Sequence, residues 1–188
     1  RSSVMLKATE VSELRRLTLQ GGRDVLINAA RALRAAIDAG GTLIAFGNGG
    51  SATDAMDVVA DFRAAPQGWP GRRALDLTED TAIITAIAND IGTDAIFSRQ
   101  IIAYARTGDF VLALSTSGNS RNIIQALAEA RARGLTTMAL VGYDGGRIAA
   151  ERLADFVVTS PSQHIPRIQE AQASAYHALR ELVETVSV

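Results

Sequence analysis

The sequence predicts an α/β fold, a three-layer sandwich with helices on both faces of a five-stranded parallel sheet. Three observations carry that expectation. Five short apolar runs recur along the chain, each followed by a polar or glycine-rich loop. Helical stretches separate them, so successive strands pair in parallel through right-handed crossovers. The runs are continuously apolar rather than alternating, as strands covered on both faces must be.

Taken in order, Leu14 to Ala39 places Leu17, Val25, Ile27, Leu33 and Ile37 among arginines and aspartates and stops at "AGG", which reads as one amphipathic helix or two. The strands are "TLIAF" (42–46), "RALDL" (73–77), "FVLALS" (110–115), "TMALVG" (137–142) and "DFVVTS" (155–160). Helices are expected near 51–64, 80–87, 94–106, 120–133 and 146–153, with a long one over 164–186. The irregular connection is "AAPQGWPGR", 64–72. With 188 residues, 47% of them hydrophobic, the chain suits one domain over 1–188, opened by a helical segment over about 1–39.

Composition narrows the function. A net charge of −1, from 19 basic and 20 acidic residues, offers no broad basic surface, so direct nucleic-acid binding is not expected. The absence of cysteine rules out disulfides and thiolate metal sites. No apolar stretch is long enough to span a bilayer and the start carries no signal-peptide pattern, so a soluble, cytoplasmic protein without membrane partners is expected. Because the chain begins at Arg1 rather than Met, preceding native residues are expected.

Two loops stand out. "FGNGGSATDA" (46–55) follows the first strand and opens a helix, so free backbone N–H groups and a helix N-terminus meet there and suit an anion. Gly47, Gly49 and Ala52 also fit G-x-G-x-x-A, with Asp76 ending the second strand where a ribose-binding acid would sit. That dinucleotide reading leaves the second loop without a task and no room for a substrate domain, so no nucleotide cofactor is expected. A third reading makes the glycines a tight turn only. The second loop, "STSGNS" (115–120), sets Ser115, Thr116, Ser117 and Ser120 at the same end of the sheet. Small hydroxyls beside a glycine let donors converge on phosphate oxygens; ordinary helix capping is the competing explanation. With no lysine between the loops, a sugar phosphate fits better than a nucleoside triphosphate.

"GNGGSATDAMD", "AIANDIGTDAIFSRQI", "GDFVLALSTSGNSRNIIQAL" and "RIQEAQASAYH" resemble, in order and spacing, the sugar isomerase (SIS) domain family and its phosphoheptose isomerase branch, over about residues 12–186. The resemblance implies a flavodoxin-like arrangement and a homotetramer with sites between subunits. It also implies conversion of sedoheptulose 7-phosphate to D-glycero-D-manno-heptose 7-phosphate. It assigns Ser115, Thr116, Ser117 and Ser120 to the phosphate, and Asn48, Gly49, Ser51, Asp90 and Gln169 to substrate binding.

Moving a carbonyl between C2 and C1 needs a base for the adjacent proton and an acid for the oxygen. In the branch, a His-x-x-x-Glu pair and a Gln and His on the last helix serve this end, and in metal-bound members the four hold zinc. The matching residues here are Asp57, Asp61, Gln169 and His177, a candidate metal set. The resemblance makes Asp61 the base and His177 the acid. Asp57 and Asp61 still share a helix face, yet both residue types have changed. Asp61 reaches about 1.5 Å less than a glutamate, and misplacement of that order costs on the order of a hundredfold in rate. Two further readings stay open: a solvated face carrying two acids, and a packed, non-catalytic His177. Pro166 stands where the branch usually has an acid. A second function is a non-catalytic SIS module, because "ITAIAND", "GNSR" and "GYDGG" also resemble a relative that binds the bacterial replication initiator.

Overall fold

The computed structural model describes residues 2–64 and 68–186. The N-terminal segment forms two helices, α1 (Ser2–Gly21) and α2 (Arg23–Asp38), broken at Gly22. Helix α1 starts twelve residues before the expected Leu14. Its first turns expose Val4, Met5 and Leu6, so no apolar stripe marks them in the sequence. Then follow β1 (Leu43–Gly47), α3 (Gly50–Arg63), β2 (Ala74–Asp76), α4 (Thr81–Asp90), a 3₁₀ turn (Thr93–Ala95) and α5 (Ile96–Tyr104). The chain continues through β3 (Phe110–Ser115), α6 (Arg121–Ala132), β4 (Thr136–Gly142), α7 (Gly146–Ala150), β5 (Phe156–Ser160) and α8 (Ile165–Thr185).

All five strands pair in parallel, in the order β2-β1-β3-β4-β5. Strands β1 and β3 are buried throughout, which is why their sequences lack alternation. Alternate side chains still face opposite layers. Leu43, Ala45, Leu112, Leu114, Met138 and Leu140 meet α2, α3 and α8, while Ile44, Phe46, Val111, Ala113, Ala139 and Val141 meet α5, α6 and α7. The edge strand β2 is only three residues long and pairs on one side. The expected helix 94–106 begins as a 3₁₀ turn, and the expected helix 146–153 ends at Ala150, just before Arg152 turns left-handed at φ 52°.

From β1 the chain steps outward to β2, then returns to lay β3 on the other side of β1. The loops leaving β1 and β3 therefore diverge and open a crevice beyond their C-terminal ends, the place where such sheets bind ligands. Both candidate loops lie there.

Candidate functional site

The first turn is shaped by close approach. Gly49 caps α3 at φ 56° and ψ −120° with no side chain closing the helix, and the N–H groups of Ala52 and Thr53 turn back onto Gly49 O at 2.9 and 3.4 Å, so the turn closes on its own backbone. A Cβ on Gly50 would stand 2.0 Å from Gln169 Nε2, so only glycine leaves room for that amide against the turn. Gln169 of α8 is thus brought to the glycine turn. Ser51 is buried beside it, and its N–H bonds to Asn48 O at 3.0 Å.

Asn48 and Asn122 exchange two amide hydrogen bonds of 2.9 Å, tying the turn after β1 to the first turn of α6. Asn122 was not singled out from the sequence, although "GNSRN" places an amide in the first turn of the helix.

The hydroxyl loop is held largely by backbone bonds; of its hydroxyls, Ser117 Oγ accepts from Asn119 N at 3.2 Å. Thr116 O accepts from Gly142 N at 2.9 Å and Gly118 O from Ile148 N at 3.1 Å, anchoring the loop to the segment after β4. Gly118 is left-handed at φ 62°, and a Cβ there would lie 2.1 Å from Gly145 O. Asn119 locks the far side, donating to Ser117 O and accepting from Arg147 N, both at 2.9 Å. Ser120 occupies the N-cap position of α6 but makes no capping bond. The capping explanation therefore fails for its hydroxyl. Thr116, Ser117 and Ser120 form a half-buried rim, while Ser115 is buried and its Oγ has no partner. Asp90 ends α4, where Asn89 Nδ2 donates to it at 2.8 Å; among the described residues no hydrogen bond joins it to either loop.

On the other wall, α3 and α8 bring five ionisable groups together, Asp54, Asp57 and Asp61 of α3 and Tyr176 and His177 of α8. His177 Nε2 lies 3.4 Å from Asp61 Oδ2 and 3.6 Å from Asp57 Oδ2, with His177 half exposed. Both gaps exceed the usual N–H···O distance of about 3.2 Å, so imidazole and carboxylates adjoin without being consumed by one another. Tyr176, its ring edge-on to His177 at 4.6 Å, donates its hydroxyl to Asp57 Oδ2 at 2.7 Å. Burial, reinforced by that bond, raises the Tyr176 phenol above its ordinary range and keeps it a donor. One turn before Asp57, Asp54 has a buried Oδ2 without a partner. Burial, with the Asp57 carboxylate beside it, pushes Asp54 up to about 6. Tyr176 and Asp54 were not identified from the sequence; their signals were a phenol adjoining His177 and an acid three residues before Asp57.

The candidate metal set is only partly assembled. Asp57 Oδ2 already accepts from Tyr176, and Gln169 packs on the turn. Among the described residues, no three His, Cys, Asp or Glu side chains gather in a way that could hold a metal ion, despite the short His177 distances. Both acids stand against His177, Asp57 half exposed and Asp61 more buried. Asp76, the acid of the dinucleotide reading, is buried and accepts from Thr78 N and Oγ1 at 2.7 and 2.6 Å. It shapes its own turn rather than facing a ribose.

The SIS domain model matches residues 8–142. A phosphoheptose isomerase of Geobacter metallireducens is 47% identical over 156 residues, spanning 81% of this chain and 80% of that protein. A solved phosphoheptose isomerase of Neisseria gonorrhoeae superposes with a TM-score of 0.90 at 33% identity, covering 98% of each chain. That of Francisella tularensis gives 0.90 at 28%, with the same coverage. Helix order, the two loops and the α3–α8 wall thus meet in one assignment: the chain belongs to the SIS domain family, in its phosphoheptose isomerase branch.

Proposed function

We propose that the chain isomerises sedoheptulose 7-phosphate to D-glycero-D-manno-heptose 7-phosphate through an enediol. The observation that carries this reading is the Asp61–His177 pair, 3.4 Å apart on the wall that also places Gln169 on the glycine turn. Thr116, Ser117 and Ser120 hold the phosphate with the N-terminal N–H groups of α6, and Ser115 supports the loop from beneath. Asn48, Gly49, Ser51 and Gln169 receive the sugar hydroxyls.

Asp61 takes a proton from C1 as the C1–H electrons form the C1=C2 bond, and the C2 carbonyl oxygen takes a proton from His177. The neutral imidazole then accepts the proton of the C1 hydroxyl while Asp61 returns its own to C2, leaving an aldehyde at C1. The two groups end as they began. Acid–base catalysis of this kind contributes about 10²–10⁴-fold. No step is routed through a metal.

The homotetramer belongs to the same proposal. Helix α4 is largely apolar yet has no buried residue, and Ile91, Met56 and Ile165 are also exposed, surface that neighbouring copies would cover. Asp90 on α4 would then reach a neighbour's site rather than its own. Among the described residues, no helix is long and apolar enough to cross a membrane.

The test is incubation of the purified, metal-analysed protein with sedoheptulose 7-phosphate in D₂O, followed by NMR. An aldoheptose phosphate carrying deuterium at C2 is the expected product, because the proton that Asp61 takes from C1 exchanges with D₂O at the enediol stage before a deuteron is returned to C2. Thermal stabilisation by the sugar without turnover would refute the isomerase reading and favour the binding module.

A further inference from the structure

Arg180 is the largest fully buried side chain, 2% exposed, and it lies one turn beyond His177 on α8. A guanidinium taken out of water is costly unless each of its edges is used. Its Nε donates to the backbone carbonyl of Asp61 at 3.2 Å, Nη2 to Pro70 O at 3.4 Å, and Nη1 to Glu184. The rings of Phe62 and Trp69 lie 4.8 and 5.0 Å from its Cζ. Glu184 in turn accepts from Arg72 at 2.8 and 3.2 Å, and Arg72 N donates to Phe62 O at 2.6 Å. The circuit Asp61–Arg180–Glu184–Arg72–Phe62 therefore closes on the last turn of α3.

Two residues one turn apart on α8 thus hold opposite ends of Asp61. His177 faces its carboxylate, and Arg180 holds its main-chain carbonyl. We propose that Arg180 is a positioning residue for the isomerisation, fixing the final turn of α3 so that the Asp61 carboxylate meets His177 across the reacting carbons. The role matters more for an aspartate than for a longer acid, since a short side chain follows its backbone and has little reach to correct a shifted turn. Lysine cannot replace the arginine fully, because its single ammonium cannot serve two carbonyls and a carboxylate in the fork geometry of a guanidinium while also packing against two rings.

The inference rests on the isomerase reading for its kinetic arm and has a second arm that does not. Three variants are compared with wild type: Arg180→Met, Arg180→Lys and Glu184→Gln. Arg180→Met is expected to lower kcat by about tenfold to a hundredfold, as misplacement approaching 1 Å does, with KM within twofold. Arg180→Lys falls between it and wild type, and it carries the test if Arg180→Met does not fold. Glu184→Gln breaks the circuit but leaves the Arg180–Asp61 bond, so it lowers the melting temperature while kcat stays within threefold. In the second arm, the imidazole NMR signal of His177 moves in Arg180→Met and Arg180→Lys while that of His164, the other of the two histidines, does not. Wild-type kcat in the Arg180 variants, equal kcat losses at equal destabilisation in Glu184→Gln, or an unmoved His177 signal would overturn the proposal. If wild type itself shows no turnover, the functional reading fails and the His177 signal alone decides the positioning role.

Discussion

Substituting Gly50→Ala separates the stability of the fold from the use of Gln169. The added Cβ would lie 2.0 Å from Gln169 Nε2, 2.9 Å from Cδ and 3.1 Å from Oε1. A comfortable contact is about 3.5 Å, so the amide must retreat by about 1.5 Å. The obstacle is the end of a flexible side chain rather than backbone, so a rotamer change relieves it. Gly50 is the first residue of α3, where alanine in place of glycine stabilises by up to about 1 kcal/mol. The expected result is a melting temperature equal to or above wild type together with a loss in kcat/KM on the order of a hundredfold, the cost of misplacing a substrate-positioning group by more than 1 Å. Steady-state kinetics with sedoheptulose 7-phosphate and a thermal melt of the same sample read both quantities. Wild-type kcat/KM would refute the placement of Gln169 at the sugar. A large drop in melting temperature would refute the claim that the crowding is confined to one rotamer.

Asp61→Asn and His177→Asn should each lower kcat by about 10²–10⁴-fold, with circular dichroism unchanged; a loss under tenfold would remove that residue from the proton transfers. Tyr176→Phe removes the donor to Asp57 and should destabilise by about 1–2 kcal/mol, read as a lower urea midpoint at unchanged slope. The folded-state pKa of Asp54 is raised, to about 6 against an ordinary 3.8, so the folded protein binds more protons between those values. Stability contributed by neutral Asp54 is present below about 4 and lost as pH rises to 6. The difference in melting temperature between Asp54→Asn and wild type should therefore grow in the variant's favour across that window. A constant difference would show that the Asp54 carboxyl is not shifted.

Sequence periodicity was enough for the sheet because strands buried on both faces must be continuously apolar, and β1, β3 and β4 fall within a residue of their expected bounds. It failed at α1, whose exposed apolar residues carry no inward stripe, and at Thr93–Ala95, where a tight turn interrupts what reads as one helix. The two loops were legible for a similar reason: glycines and hydroxyls directly after a buried strand have few structural uses. Asp57, Asp61, Gln169 and His177 were legible only through resemblance, since i, i+4 spacing puts two acids on a face without saying what the face meets.

What the sequence determined by itself was therefore local: strand and helix order, the position of the glycine turn and the hydroxyl loop, and a near-neutral charge balance. Strand order across the sheet, the amide pair of Asn48 and Asn122, the Tyr176 bond to Asp57 and the Arg180 circuit were decided only by tertiary structure. The Asn48–Asn122, Tyr176–Asp57 and Arg180–Asp61 bonds join residues 74 to 119 positions apart in the chain. Such contacts depend on how α8 lies against α3 and how the loops diverge at the switch point. Those are properties of packed surfaces, and no local period in the sequence encodes them.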